Sequence, residues 1–242
     1  MNPPLPEGTP AQQEYVRSLF DGIATHYDFL NHFLSSGIDV LWRKRAIRLL
    51  RETKPRHILD VATGTADFAI ESARTLDAMV VGIDISNEML KLGKKKVLRK
   101  GLQQLVVLQQ GRVETLEFED NTFDAVTVAF GVRNFSDVRT GLQEMKRVLK
   151  VGGTAVILEF SRPRVFPFSV IYQFYFQRVL PLVAGLVSDN RGSYEYLPRS
   201  VGQFPDDAEF LEILRSAGYS NTRQHRLTFG IATIYLGTKE TI

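Results

Sequence analysis

The stretch His57-Ile58-Leu59-Asp60-Val61-Ala62-Thr63-Gly64-Thr65-Ala66-Asp67 decides the fold. An apolar run suited to a buried strand enters a turn of small residues and leaves as a helix, and Asp60 marks the strand's C-terminal half. Twenty positions after Gly64, Asp84 ends a second apolar run, Met79-Val80-Val81-Gly82-Ile83-Asp84. Together these segments read as one half of a nucleotide-binding βαβ unit, with a carboxylate placed for ribose hydroxyls.

Working outward, strand-like runs fall at 57–61, 79–84, 105–109, 123–129 and 154–160, with helical runs near 66–76, 86–100 and 137–150. Such alternation predicts a parallel sheet covered by helices on both faces. A helix is expected from Asp206 to Ala217, with Asp206 or Asp207 near its cap and Gly218 at its end. Two β runs, about 219–227 and 230–238, meet at Phe229-Gly230 as a hairpin. The expected fold is therefore α/β and Rossmann-like, a mostly parallel seven-stranded sheet with one antiparallel strand near the C-terminus. Residues 1–10 read as a flexible tail, and 11–242 as one domain with a helical cap over about 11–52 and an apolar insert over about 164–204.

The ligand is decided by the loop chemistry. A dinucleotide wants bare backbone N–H groups and a helix N-terminus for its pyrophosphate, hence G-x-G-x-x-G. Here a single glycine, Gly64, is flanked by Asp60 and Asp67. Negative charge disfavours a pyrophosphate and favours the ammonium of a methionyl group. Gly64 permits close backbone approach, Thr63 offers a hydroxyl and Asp84 can accept from the ribose. The loop thus points to S-adenosyl-L-methionine. Further on, Gly111-Arg112-Val113-Glu114 follows the third strand, where an adenine-contacting loop would sit. The fourth strand ends in Gly131-Val132-Arg133-Asn134-Phe135, which aims Arg133 and Asn134 at the reaction centre.

The absence of cysteine excludes disulfides, thiolate zinc, iron–sulfur clusters and thiol catalysis. No metal-ligand cluster is visible in the sequence. A net charge of +3 is weak support for nucleic acid, and the polar, proline-rich Met1–Pro10 has no secretory h-region, so a cytoplasmic enzyme is expected.

Four motifs carry a family resemblance. They are Val16-Arg17-Ser18-Leu19-Phe20-Asp21-Gly22-Ile23-Ala24 with Tyr27-Asp28-Phe29-Leu30-Asn31 and Leu41-Trp42-Arg43; the Leu59–Asp67 loop; Phe130-Gly131-Val132-Arg133-Asn134; and Tyr196-Leu197-Pro198-Arg199-Ser200-Val201 with Phe204-Pro205. In these the chain resembles the ubiquinone/menaquinone biosynthesis C-methyltransferases, of the class I S-adenosylmethionine-dependent type. The resemblance implies methylation of a ring carbon in a prenylated quinol, with demethylmenaquinol as the leading substrate; the alternatives are a ubiquinol precursor, or a methyltransferase acting on another small molecule or RNA. It implies cofactor contacts from Thr63, Asp84 and the Arg112-Val113 pair, to which the loop chemistry adds Asp60 and Gly64. The family usually carries Asp or Asn followed by Ala where this chain has Arg112-Val113, which leaves a backbone contact there.

Ring carbon is a poor nucleophile until the adjacent hydroxyl loses its proton, so a general base is required. His26, Tyr27 and Asp28 are the candidates, with Arg133 and Asn134 orienting the quinol oxygen or stabilising its oxyanion. From Val165 to Val187 the only charge is Arg178. Pro167, Pro181, Gln173, Gln177 and Arg178 argue against a membrane span, and the aromatics suit a prenyl tunnel or an interfacial helix. Basic residues crowd 43–51 and 91–100 and suit anionic lipid. The partners expected are a prenylated quinol, the inner membrane face as a peripheral contact and a second copy in a homodimer, with no nucleic acid.

Overall fold

Seven strands form one sheet in a computed structural model that describes residues 14–22, 37–174 and 200–240. The strands are β1 (His57–Val61), β2 (Met79–Asp84), β3 (Val106–Gln110), β4 (Phe123–Ala129), β5 (Leu149–Phe160), β6 (Ser220–Leu227) and β7 (Ala232–Thr238). Their order is β3-β2-β1-β4-β5-β7-β6. Pairing is parallel from β3 to β5, and β7 runs antiparallel to both β5 and β6. The expected sheet, with a single reversed strand, is what the chain forms. Among the described residues the helices are α1 (14–22), α2 (Asp39–Arg51), α3 (Asp67–Leu76), α4 (Asn87–Arg99), α5 (Val138–Val148), α6 (Phe168–Phe174) and α7 (Ala208–Ser216), with a further helical stretch at 200–203.

The central strands are apolar on both sides because both sides are covered. Ile58 and Ala125 face one layer, where they pack with Ala46, Ile47 and Leu50 of α2 and with Phe68, Ala69 and Ala73 of α3. Their neighbours Leu59 and Val126 face the other, with Leu142 and Met145 of α5 and Phe210 and Leu214 of α7. Side-chain caps fix two helix starts: Ser86 Oγ accepts from Met89 N at 3.1 Å and Asp137 Oδ1 from Thr140 N at 3.0 Å.

Two boundaries differ from expectation. Strand β5 begins at Leu149 rather than at 154. Gly152-Gly153 reads as a turn in sequence, yet Gly152 N donates to Lys239 O at 2.7 Å and Lys239 N to Gly153 O at 3.1 Å, so the segment is held as ladder. Helix α7 starts at Ala208 and its Asp207 N-cap makes no side-chain cap hydrogen bond. Asp206 and Asp207 are drawn to arginines instead: Arg162 Nε donates to Asp206 Oδ2 at 2.9 Å, and Arg164 Nε lies 3.4 Å from Asp207 Oδ2.

Candidate functional site

The strand order reverses beside β1, whose neighbours are β2 and β4, and the crevice at their C-terminal ends is where an open α/β sheet binds ligands. A cavity of about 470 Å³ lies there. Its wall takes Ala62 and Gly64 from the β1 loop, Asp84 and Ile85 from the end of β2, residues 111–118, and Phe130, Gly131, Asn134 and Phe135 beyond β4. Glu14, Val16, Arg17 and Phe20 of α1 close it from above.

Backbone conformation makes the close approach. Ala62 (φ +51°), Gly64 (φ +55°) and Ala66 (φ +68°) occupy the left-handed region in alternation, and Phe130 (φ +58°) does so at the end of β4. For Ala and Phe this costs about 1 kcal/mol or more each, a strain found where function fixes the backbone. A Cβ added at Gly131 would stand 2.6 Å from Ala62 Cβ, so only glycine lets the loops after β1 and β4 meet.

Asp84 ties the two halves of the motif. Its Oδ2 accepts from Gly64 N at 2.8 Å and its Oδ1 from Ser86 N at 2.9 Å, which leaves lone pairs on both oxygens for further donors. Burial pushes its carboxyl up to about 6. Asp60 accepts from Thr63 Oγ1 at 2.6 Å and Thr127 Oγ1 at 2.7 Å, and burial again lifts it to about 6. Asp60 and Thr63 lie behind the loop and fix its shape, whereas Gly64, Asp84, Arg112 and Val113 line the cavity itself. Asp84 in the floor and Asp60 behind it make a place short of positive charge, and Asp84 keeps acceptors for hydroxyl donors.

Asp67 does not flank the ligand as its sequence position suggests. Lys96 Nζ reaches Asp67 Oδ1 at 2.7 Å and Thr65 Oγ1 at 2.8 Å, and Arg43, itself paired with Asp39, stands 3.9 Å from Asp67 Oδ2. Its charge is thus neutralised behind the helix start, and the acidic character of the site rests on Asp60 and Asp84.

Asn134 lines the cavity; Arg133, beside it in a 3₁₀ turn, points toward β5. Its Nη1 donates to Glu159 Oε1 at 2.5 Å and to Phe130 O at 2.7 Å, and its guanidinium lies 5.4 Å from the Phe160 ring centroid. Glu159 is wholly buried, and burial raises its carboxyl. His26, Tyr27 and Asp28 lie outside the described residues.

Sequence reading passed over two participants. Glu159 sits inside an apolar strand run, where a lone acid was the available signal. Ser86 Oγ donates to Asp21 Oδ1 at 2.5 Å and so pins α1 to the start of α4; nothing local joins residues so far apart in the chain.

The model of the ubiE/COQ5 methyltransferase family matches residues 9–239. A ubiquinone/menaquinone biosynthesis C-methyltransferase of Geobacter sulfurreducens is 48% identical over 228 residues, 93% of this chain and 89% of that protein. A demethylmenaquinone methyltransferase of Bacteroides fragilis is 44% identical, over 94% of each chain, and one of Thermus thermophilus is 45% identical, over 91% and 100%. Among solved structures, a SAM-dependent methyltransferase of Thermotoga maritima aligns with a TM-score of 0.64 at 19% identity, covering 93% of this chain and 100% of the other. A Haemonchus contortus phosphoethanolamine N-methyltransferase, solved with S-adenosyl-L-methionine, aligns at 0.62 and 15% identity over 93% and 60%.

Proposed function

The chain belongs to the ubiE/COQ5 methyltransferase family, and on that premise we propose that it methylates a ring carbon of a prenylated quinol with S-adenosylmethionine as donor, converting demethylmenaquinol to menaquinol. The observation that carries the donor is the floor of the cavity, where Asp84 is tied to Gly64 N and Ser86 N with lone pairs to spare. The names of the Bacteroides and Thermus relatives support the acceptor.

The residues present fit this donor. Asp84 would accept from the ribose, Gly64 would lie under the amino-acid portion, and Arg112 and Val113 would border the adenine. Asp60 and Thr63 hold the loop in shape, and Asp60 adds negative charge beside the cationic donor. S-adenosylmethionine supplies, when bound, an electrophilic methyl on a sulfonium. Everything else falls to the protein. Asn134, on the cavity wall, would hydrogen-bond the quinol oxygen next to the accepting carbon. Arg133, held by Glu159 and turned toward β5, would fix the 3₁₀ turn that presents Asn134 to the cavity. The hydroxyl proton goes to a base in the His26, Tyr27, Asp28 segment; after the methyl is on the ring, that carbon gives up its own proton, the oxygen is reprotonated and the ring regains aromaticity. Phe20, Phe130 and Phe135 around the cavity keep water from the reacting atoms.

Purified protein with S-adenosylmethionine and a short-chain demethylmenaquinol is expected to give the ring-methylated product by mass spectrometry. Methylation of a ubiquinol precursor alone would move the acceptor to the other quinone class, and no transfer to either quinol would refute the assignment.

A further inference from the structure

The wall on the adenine side of the cavity has no frame of its own. Between β3 and β4 the chain forms only the isolated bridge of Arg112 with Thr115, yet residues 111–118 line the cavity. Helix α5 supplies the frame. Gly141, Glu144 and Arg147 follow at three-residue spacing and meet the segment on successive turns. A Cβ added at Gly141 would stand 2.8 Å from Phe135 Cδ2 and 3.1 Å from Val113 Cγ1, so the helix lies directly behind the wall. Glu144 Oε2 accepts from Leu116 N at 3.1 Å. Arg147 Nη2 donates to Leu116 O at 2.8 Å, and its Nη1 to Phe118 O at 2.8 Å and Asp120 Oδ1 at 2.7 Å. The two side chains also hold each other. Arg147 Nε donates to Glu144 Oε1 at 2.7 Å and Nη2 to Oε2 at 2.9 Å, a bidentate fork that keeps the Glu144 carboxyl below its ordinary range. Just before α5, Ser136 donates to Glu114 Oε1 from its N at 2.9 Å and its Oγ at 2.6 Å, which ties the near end of the same wall.

What the wall has to read makes this frame matter. An acidic or amide side chain at position 112 could follow the adenine amine through its own rotamers. This chain has Arg112-Val113, and the contact falls to the backbone. Backbone groups read a base only from where the chain is held, and a misplacement of about 1 Å spoils such a contact. Neither Glu144 nor Arg147 lines the cavity, so each acts through the segment it carries.

We propose that Glu144 and Arg147 are positioning residues for the methyl donor, fixing the backbone of 112–118 so that it accepts adenine and rejects other purines. The inference rests on the S-adenosylmethionine reading. Hypoxanthine reverses the edge that adenine presents: an acceptor replaces the 6-amino donor, and N1 gains a proton. Backbone groups placed for one base are left unpaired by the other.

Titration calorimetry with S-adenosylhomocysteine and with S-inosylhomocysteine measures it, without quinol. Wild type is expected to prefer the adenosyl ligand by about a hundredfold or more. Arg147→Lys keeps the charge and loses the fork, and Glu144→Gln keeps the size and loses the ion pair. Each should bind the adenosyl ligand more weakly and shrink the preference by about tenfold. Lys150→Gln breaks a pair with Asp124, 2.7 Å long, that has no bond to the wall. It should lower the melting temperature and leave the preference unchanged, which separates positioning from mere support of the fold. No preference in wild type, a preference retained in both α5 variants, or one lost equally in Lys150→Gln would overturn the inference while the donor reading stands. Wild type silent toward both ligands would refute the donor reading, and the inference with it.

Discussion

Arg133 and Glu159 form an ion pair 2.5 Å long in which the arginine side chain is 7% exposed and the glutamate not at all. Neither residue can be removed alone without leaving a buried partner. Glu159→Ala should therefore destabilise the fold by about 3 to 5 kcal/mol, the cost of breaking a buried pair from one side. Glu159→Gln keeps the volume and one acceptor but lets the guanidinium drift. Its kcat is expected to fall about a hundredfold through misplacement, with little change in S-adenosylmethionine affinity. Stopped assays and calorimetry separate the two effects; equal losses in both would show that Glu159 supports the donor site instead.

Asp84 should dominate donor affinity. Asp84→Ala removes the acceptor for ribose hydroxyls and frees the Gly64 and Ser86 amides it holds. Titration calorimetry is expected to show a loss of about 2 to 3 kcal/mol, in line with hydrogen bonds to a charged group. Asp67→Asn, by contrast, should lower the melting temperature through its contact with Lys96 and leave the donor affinity within a few-fold. A large affinity loss there would restore Asp67 to the ligand's surroundings.

Donor binding should depend on pH through the two raised carboxyls. Asp60 and Asp84, pushed up to about 6 from 3.8 by burial, hold their protons over that interval before a donor binds. Native protein then binds more protons than unfolded chain, so their contribution to stability is greatest below 3.8 and is lost as pH rises through 6. A cationic donor that needs the ionised forms binds in the opposite sense. Affinity should climb by up to about tenfold per pH unit for each carboxyl as pH rises toward 6, then level off near neutrality. Asp84→Asn should flatten part of that rise. A profile that is flat from pH 5 to 7 in wild type, pH values chosen about one unit either side of the titration, would contradict the assignment.

Gly131→Ala tests the closeness of the loops after β1 and β4. Its φ of −115° is open to any residue, so the effect is purely steric. The new methyl would meet Ala62 Cβ at 2.6 Å and Val128 Cγ2 at 3.1 Å. A destabilisation of about 1 to 3 kcal/mol is expected, with weaker donor binding as Ala62 is pushed into the cavity. Denaturant melts and calorimetry on the variant check both.

The sheet was legible because its strands are short, apolar and punctuated. The β1 and β2 runs, 57–61 and 79–84, coincide with the strands formed, and the Phe229-Gly230 hairpin correctly announced the reversed strand. Positions that backbone chemistry dictates, Gly64 and Asp84, were readable for the same reason. What stayed hidden were partners. A sequence displays the charge of Asp67 but not Lys96, 29 residues away, which neutralises it. It displays Arg133 but not that Glu159, inside an apolar strand, holds it. Asp207 is the N-cap that local rules favour there, yet its carboxylate, like that of Asp206, turns to the arginines after β5 and on β6 rather than to the helix end.

The antiparallel course of β7 has a wider consequence. Because Ala232 pairs with Phe160, the β6–β7 turn emerges at the C-terminal end of β5 and not at the opposite edge. The donor's loops all come from β1 to β4, whereas the turn and α6 belong to β5 and beyond. One reversed strand thus brings the 228–230 turn and the segment that follows β5 to the same end of the sheet as the cavity, while contributing none of its wall. The turn still reaches that wall at second hand, because Thr228 Oγ1 holds Trp42 and Trp42 packs on Phe130, so a change at the tip of the sheet is felt in the pocket it never touches.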